Sequence, residues 1–292
     1  MTLSIVALDR PYALLGVAVS SHWFNAGSTV PALLPGLGAV AVQAVLGADV
    51  ALALGKHLQD GADAKGALAQ TLATDSLADW RQIGLVDSAG NAAVHTGKSC
   101  IPCAAGLSGP DFAVQANMML NDDVVPAMHE AYLNAVKSEE PSHIAFARRL
   151  LATLAAGQRA GGDIRGEQSA GVFVVSSSCI DTVRLIDLSV PDHKSPLGEL
   201  SRLIDLQAAY DLMNLGDGEI ARGDVDGAIK AYGLAVKMLP ENLECRYWQA
   251  ITLLNAGRQT EGDAIMEDIY AKPGHWRELT KRLLECGLLS PP

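Results

Sequence analysis

The sequence predicts an α+β protein: a four-layer αββα sandwich over residues 1–205, followed by a small all-α helical domain over residues 206–292. Three observations carry this. The first part runs strands, two helices, strands, two helices, strands, which is not the βαβ alternation of a parallel sheet and suits antiparallel sheets packed between helix layers. Several of its strands, Leu14–Val19 and Ala170–Val175 among them, are apolar on both faces, as sheets in the middle of such a sandwich must be. In the second part Gly223 and Gly257 stand 34 positions apart, a helical-repeat period.

The elements follow in order. Thr2–Leu8 and Leu14–Ser20 are β-branched or apolar runs joined by Asp9-Arg-Pro-Tyr12, a turn-like connector. Gly38–Gln43 reads as a third strand. Two Ala- and Leu-rich stretches, about 48–60 and 63–74, read as helices. Arg81–Val86 and Ala92–His95 form a hairpin around Asp87-Ser-Ala-Gly90, where glycine tolerates a positive φ. Phe112–Met118 is the next strand. Helices are expected at about 122–137 and 142–157, and a last strand pair at Ser169–Val175 and Thr182–Leu188.

Composition narrows the functions. A chain of 292 residues, 49% hydrophobic, builds a substantial core. A net charge of −11, with its 22 Lys and Arg scattered, argues against a nucleic-acid or anionic-membrane surface. Asp9 and Arg10 interrupt the first apolar stretch, so no signal peptide is expected. No run approaches the roughly 18 apolar residues of a membrane span. A cytoplasmic protein is the expectation. Of five cysteines, Cys100 and Cys103 have C-x-x-C spacing, but no second pair or His pair completes a zinc site, so neither metal nor cofactor is expected.

Thr2 carries the clearest chemistry. Methionine aminopeptidase normally removes Met ahead of a small residue, and removal of Met1 gives a threonine with both a free α-amine and a hydroxyl. Such a pair is a nucleophile with its own general base. The strand that opens at Thr2 would hold it rigidly, and Ser4 lies on the same face two residues on.

Six blocks then carry a resemblance: Met-Thr-Leu-Ser-Ile-Val-Ala at 1–7, Leu-Gly-Val-Ala-Val-Ser-Ser-His-Trp-Phe at 15–24, Gly-Ala-Val-Ala-Val-Gln at 38–43, His-Thr-Gly-Lys-Ser-Cys at 95–100, Val-Gln-Ala-Asn-Met-Met at 114–119 and Gly-Gly-Asp-Ile-Arg-Gly-Glu-Gln-Ser-Ala at 161–170. In this order they resemble the DUF1028 family of N-terminal-nucleophile (Ntn) hydrolase-like proteins. The resemblance covers about two-thirds of the chain. It implies the αββα fold and a site at Thr2. Where proteasome-type Ntn enzymes carry an acid, this chain has Ser20 or Ser21 followed by His22. No lysine stands around residues 34–37.

The candidate site follows from these blocks. Thr2, Ser4, His22 and Gln43 are the catalytic candidates: His22 as a proton shuttle near neutral pH, and the strand-end amide of Gln43 to orient the nucleophile or donate to an oxyanion. Ser21, Lys98, Gln115, Asn117, Asp163, Arg165 and Gln168 are the substrate-binding candidates. Gln115 and Asn117 alternate onto one face of a core strand, where buried amides need partners. Arg165 or Lys98 can hold a substrate carboxylate, and Asp163 with Arg165 can equally be a structural tie.

Residues from about 208 resemble a tetratricopeptide (TPR) unit. Leu215, Gly216, Gly223, Ala228, Tyr232, Ala235 and Pro240 fall at consensus spacing, Ala250, Gly257 and Gly262 repeat it, and 276–286 form a capping helix. Two repeats are fewer than a stable array needs, so contacts with the first domain or with another protein are expected through residues 206–292. Two functional classes stay open. One is an amidohydrolase cleaving a C–N bond in a small, carboxylate-bearing amide. The other is a catalytically inactive Ntn-fold scaffold. A homo-oligomer is expected in either case.

Overall fold

The computed structural model describes residues 2–135, 140–178 and 184–290. Met1, Cys179, the end of the helix expected over 122–137 and the start of the strand expected at Thr182 lie outside the described residues. The chain divides into two compact units, Met1–Ile204 and Asp205–Pro292.

The first unit is mixed α+β, with two antiparallel sheets. Its elements are β1 (Thr2–Asp9), β2 (Leu14–Ser21), β3 (Pro31–Leu34), β4 (Gly38–Gln43), α1 (Ala48–Gln59), α2 (Ala64–Thr74), β5 (Gln82–Asp87), β6 (Ala92–Thr96), β7 (Ala105–Gly109), β8 (Phe112–Asn117), α3 (Val124–Leu133), α4 (Ser142–Arg159), β9 (Ser169–Ser176) and β10 (Arg184–Val190). One sheet has the order β10-β9-β2-β1-β8-β7, the other β3-β4-β5-β6.

Strand alternation sorts the apolar residues onto two faces. On β1, Val6 and Leu8 meet Leu15, Val17 and Val19 of β2 and Ala39 and Ala41 of β4 in one cluster between the sheets. On the outer face of the smaller sheet, Val40, Val42, Ile83 and Leu85 pack against Val50, Leu54 and Leu58 of α1 and Leu68 of α2. Helix α4 packs on β1, β2 and β9, and α3 on β7 and β8. Gly16 of β2 admits α4 closely, for an added Cβ would overlap Leu150 and Phe146.

Local signals set several ends. The Asp63 carboxylate accepts from Gly66 N–H at 2.7 Å and caps α2. In the β5–β6 turn, Asp87 accepts from the backbone N–H groups of Ala89 and Asn91 at 3.0 and 2.9 Å, and Gly90 takes φ +85°. Strand β8 stops at Asn117 rather than Met118, because Met118 is left-handed at φ +60°. Strands β3 and β7 have no counterpart in the sequence reading. Both are edge strands. Pro31 opens β3 without a donor, and the two glycines of β7 weaken its strand propensity.

The second unit is helical. It holds the part of α5 (Pro196–Arg222) from Asp205 on, a helix that begins before residue 208, and then α6 (Val225–Met238), α7 (Leu243–Asn255), α8 (Gln259–Tyr270) and α9 (Trp276–Glu285). Gly223 and Gly257 end α5 and α7 at φ +81° and +74°, the left-handed cap that glycine adopts at least cost. Gly216 lies against the Tyr232 ring, where a Cβ would overlap it, and Tyr232 donates to Asp217 at 2.5 Å. Tyr247, Ile251, Met266, Ile269 and Leu283 form the apolar cluster of α7, α8 and α9. Among the described residues, no helix is long and apolar enough to cross a membrane.

Candidate active site

The inter-sheet layer changes character at the end where β1 begins. The register places Thr2 opposite Ser21 on one side and Asn117 on the other, with Ser21 opposite Ser169. One row further in, Ser4 stands opposite Gln115. In the other sheet, Gln43 stands opposite Gln82, and Gln82 opposite Thr96. These positions share the parity of Val6, Val19, Ala41 and Val86, so their side chains project into the same layer. Two polar rows therefore meet at one end of an apolar core.

They meet through direct hydrogen bonds. The Thr2 hydroxyl lies 3.1 Å from the Ser21 hydroxyl. The Thr2 carbonyl accepts from Gln43 Nε2 at 3.0 Å. Ser4 donates to Gln43 Oε1 at 2.6 Å and accepts from Gln115 Nε2 at 2.6 Å. Gln43 Nε2 also donates to Gln82 Oε1 at 2.7 Å, and Asn117 Nδ2 donates to the same oxygen at 3.0 Å. Gln82 Nε2 faces three acceptors: Thr96 Oγ1 at 2.9 Å and the carbonyls of Ala105 and Ala116 at 3.1 and 2.9 Å. Ser4, Gln43, Gln82 and Gln115 are fully buried, and Thr2 is 5% exposed.

The donor count fixes what Gln43 does. Its amide has two N–H groups, and both are engaged, on Thr2 O and Gln82 Oε1. Gln43 therefore holds the Thr2 main chain in place and has no N–H left for an oxyanion.

Gln82 is the hub, and the sequence reading passed over it. The signal was present, since a glutamine at the end of an otherwise apolar strand is the feature that singled out Gln43, and Gln82 stands at the start of another. Gly84, two residues on, is tied to Gln115: a Cβ there would overlap the Gln115 carboxamide. Gln115 Oε1 is buried without a hydrogen-bond partner.

Beside Gln82, Arg81 and Asp75 form a buried ion pair at 2.6 Å. Arg81 Nη1 also donates to the carbonyls of Val45 and Leu46 at 3.1 and 2.7 Å, which ties the segment after β4 to the one before β5. Burial pushes the Asp75 carboxyl up, but hydrogen bonds from Arg81 and from Leu77 N–H outweigh it and hold its pKa below the ordinary value.

The remaining candidates lie on or beyond the rim. Asp163 is buried, and its Oδ2 accepts from the His22 backbone N–H at 3.1 Å. Its Oδ1 accepts from Arg165 N–H at 2.9 Å, and the Arg165 guanidinium pairs with it at 3.3 Å. That is a tie between the loop before β9 and the end of β2. His22 Nδ1 is buried without a partner. The Gln168 backbone N–H donates to Ser21 O at 3.0 Å, while its side chain turns to Asp192 at 3.1 Å. Lys98 is exposed and ion-paired with Asp79 at 2.8 Å, apart from the cluster.

Ser169 Oγ donates to Trp23 O at 2.6 Å and accepts from Ala26 N–H at 3.0 Å, fixing the turn after His22. Burial raises the Glu167 carboxyl above its ordinary pKa. Cys100 and Cys103 are free thiols, both pushed up by desolvation. Among the described residues no group of three or more His, Cys, Asp or Glu is placed to hold a metal ion.

The chain is similar to the crystal structure of a DUF1028 protein from Silicibacter pomeroyi, at 27% identity and a TM-score of 0.61, over 69% of this chain and 87% of that one. It is also similar, at 10% identity and a TM-score of 0.32, to Anbu (ancestral beta-subunit) from Yersinia bercovieri, over 69% of this chain and 92% of that one. No curated protein matches. The family described as a family of unknown function (DUF1028) matches residues 2–200. With more than half of its length matched, the chain belongs to the DUF1028 family.

Proposed function

We propose that this protein is an Ntn-type amidohydrolase, with Thr2 as its nucleophile once Met1 is removed. The observation that carries the reading is the position of Thr2. It opens β1 where both sheets turn polar, with its hydroxyl beside Ser21 and its carbonyl held by Gln43. In this reading the two sheets and their covering helices are the four layers of an αββα sandwich, and α5–α8 are two TPR-like repeats capped by α9.

The α-amine of the mature terminus takes the hydroxyl proton, and the alkoxide attacks the amide carbonyl. The C–N bond breaks as the ammonium returns its proton to the leaving amine. Water then cleaves the Thr2 ester and releases the acid. Ser21 orients the hydroxyl. Gln43, with Ser4, Gln82, Gln115 and Asn117 behind it, keeps the strand terminus from shifting, and a displacement of 1 Å at such a centre can cost about a hundredfold in rate. His22 and Arg165 stand on the rim, where Arg165 would hold a substrate carboxylate.

Two observations favour the second reading, an inactive scaffold acting through the helical unit. Thr2 is almost wholly buried, and the cations at Lys98 and Arg165 are already paired with acids. The intact mass of the purified protein separates the two. The hydrolase reading requires a mass short of Met1, labelling of Thr2 by a β-lactone, and no labelling of a Thr2→Ala variant. Retention of Met1 removes the base and leaves the scaffold.

A further inference from the structure

The topology gathers particular loops at the Thr2 end of both sheets. They are the connections after β2, β4, β6, β8 and β10 and those before β5 and β9. These loops expose large apolar side chains: Trp23, Phe24, Leu46, Trp80, Leu120 and Ile164, each at least 41% exposed. The loops at the opposite end, such as 10–13, 35–37 and 88–91, expose Tyr12 alone among their described residues.

The apolar side chains stand on loops around one strand. Trp23 and Phe24 leave β2 on one side of β1, and Leu120 leaves β8 on the other. With strands about 4.8 Å apart, these two exits lie roughly 10 Å from each other, with Thr2 between them. Leu46 follows Gln43, whose amide reaches Thr2 O across the layer, and Trp80 precedes Gln82. Ile164 follows Asp163, whose carboxylate accepts from His22 N–H.

The segments are stitched as well. Leu120 N–H donates to Gly162 O at 3.0 Å, Ser169 holds Trp23 O, and Arg81 holds Leu46 O. Several charges on these loops are paired, as Asp75–Arg81, Asp79–Lys98 and Asp163–Arg165, while Asp122, Asp123, Glu167, Asp192 and Lys194 stand on the same loops outside those pairs. The surface around the Thr2 terminus thus carries six exposed large apolar side chains on loops held in place, with the Arg165 guanidinium, paired with Asp163, at its edge.

We infer that the substrate is an N-acyl amino acid with an extended apolar acyl chain: the chain lies on the Trp23, Phe24, Leu120 and Ile164 side chains, and the carboxylate is directed to Arg165. This rests on the reading of Thr2 as nucleophile and names its substrate class. The Thr2 Oγ–acyl bond forms as the C–N bond breaks, and the free amino acid leaves with the transferred proton. Water then breaks the ester to give the fatty acid and restores the hydroxyl.

The test is a series of N-acylglycines from acetyl to decanoyl, assayed with the full chain lacking Met1. Each methylene in contact with the face is expected to raise kcat/KM roughly threefold to fourfold until the face is filled. Trp23→Ala and Ile164→Ala flatten that slope, whereas Leu52→Ala, exposed on α1, leaves it unchanged. Circular dichroism checks that each variant is folded.

A flat series, a series steepest at acetyl, or no turnover at any length while a β-lactone still labels Thr2 overturns the inference and leaves the nucleophile standing. Loss of self-association in Trp23→Ala with an unaltered slope also overturns it, and assigns the face to a second copy of the chain. A protein that keeps Met1 and stays unlabelled sinks both.

Discussion

The layer between the two sheets has two halves built on the same strands and the same side-chain parity. Toward Asp9 it holds Val6, Leu8, Leu15, Val17, Ala39 and Val86. Toward Thr2 it holds Thr2, Ser4, Ser21, Gln43, Gln82, Gln115 and Asn117. The apolar half gains from leaving water wherever it packs well. The polar half is stable only through partners, since a buried amide without them costs about 1–3 kcal/mol. An apolar set at Gln43, Gln82 and Gln115 would satisfy the fold more simply. Retaining four linked amides there is therefore the part of the layer that folding alone does not explain.

The comparison breaks most sharply at Gln82. Gln82→Leu keeps the volume and removes the acceptor that the Gln43 and Asn117 donors share and the amide that faces Thr96 and two carbonyls, leaving two or three of these groups without a partner. The expected loss is about 4 kcal/mol, from two or three unpaired groups at roughly 1–3 kcal/mol each. Leu15→Ala, in the apolar half, should cost about 3 kcal/mol through its cavity. Urea unfolding of both variants measures this, and a Gln82→Leu loss below about 1 kcal/mol would falsify the linked network.

Gln115 sharpens the contrast within the polar half. It donates to Ser4, but its oxygen has no partner, so the native residue already bears part of the cost. Gln115→Leu is expected to lose about 1 kcal/mol or less, well under Gln82→Leu by the same urea titration. Equal losses would mean that Gln115 is as fully engaged as Gln82.

How much of this was legible follows from what each residue signals. Strands such as Thr2–Asp9 and Ser169–Ser176 could be read because burial on both faces demands continuous apolar sequence. The edge strands β3 and β7 could not, because edges carry Pro31, Gly106 and Gly109, residues that also read as loop. Gln43, Gln115 and Asn117 stood out as amides in apolar strands, and the register brings them together. Gln82 was passed over, although it stands beside Arg81 at the start of the strand read at 81–86. Asp163 and Arg165 could be paired from sequence because they lie two residues apart, whereas Asp79, the partner of Lys98, becomes visible only in three dimensions.

The smallest expected effect lies on the rim. Glu167 has a buried, unpartnered Oε1, and burial raises its pKa above the usual glutamate value. A carboxyl raised on folding contributes its stability below its unfolded pKa of about 4.3, and that contribution is lost as pH rises through the raised folded value. At neutral pH the ionised group is therefore a cost, unlike the neutral amides beside it. Glu167→Gln removes the titration while keeping the shape. Because solvent reaches much of this side chain, the gain near pH 7.5 should stay below about 1 kcal/mol, and it should vanish near pH 4. Thermal unfolding of both proteins at the two pH values reads the difference. A variant less stable than the parent at neutral pH would mean that the Glu167 charge is held by a partner, and that the rim, like the amide row, is built around a satisfied polar group.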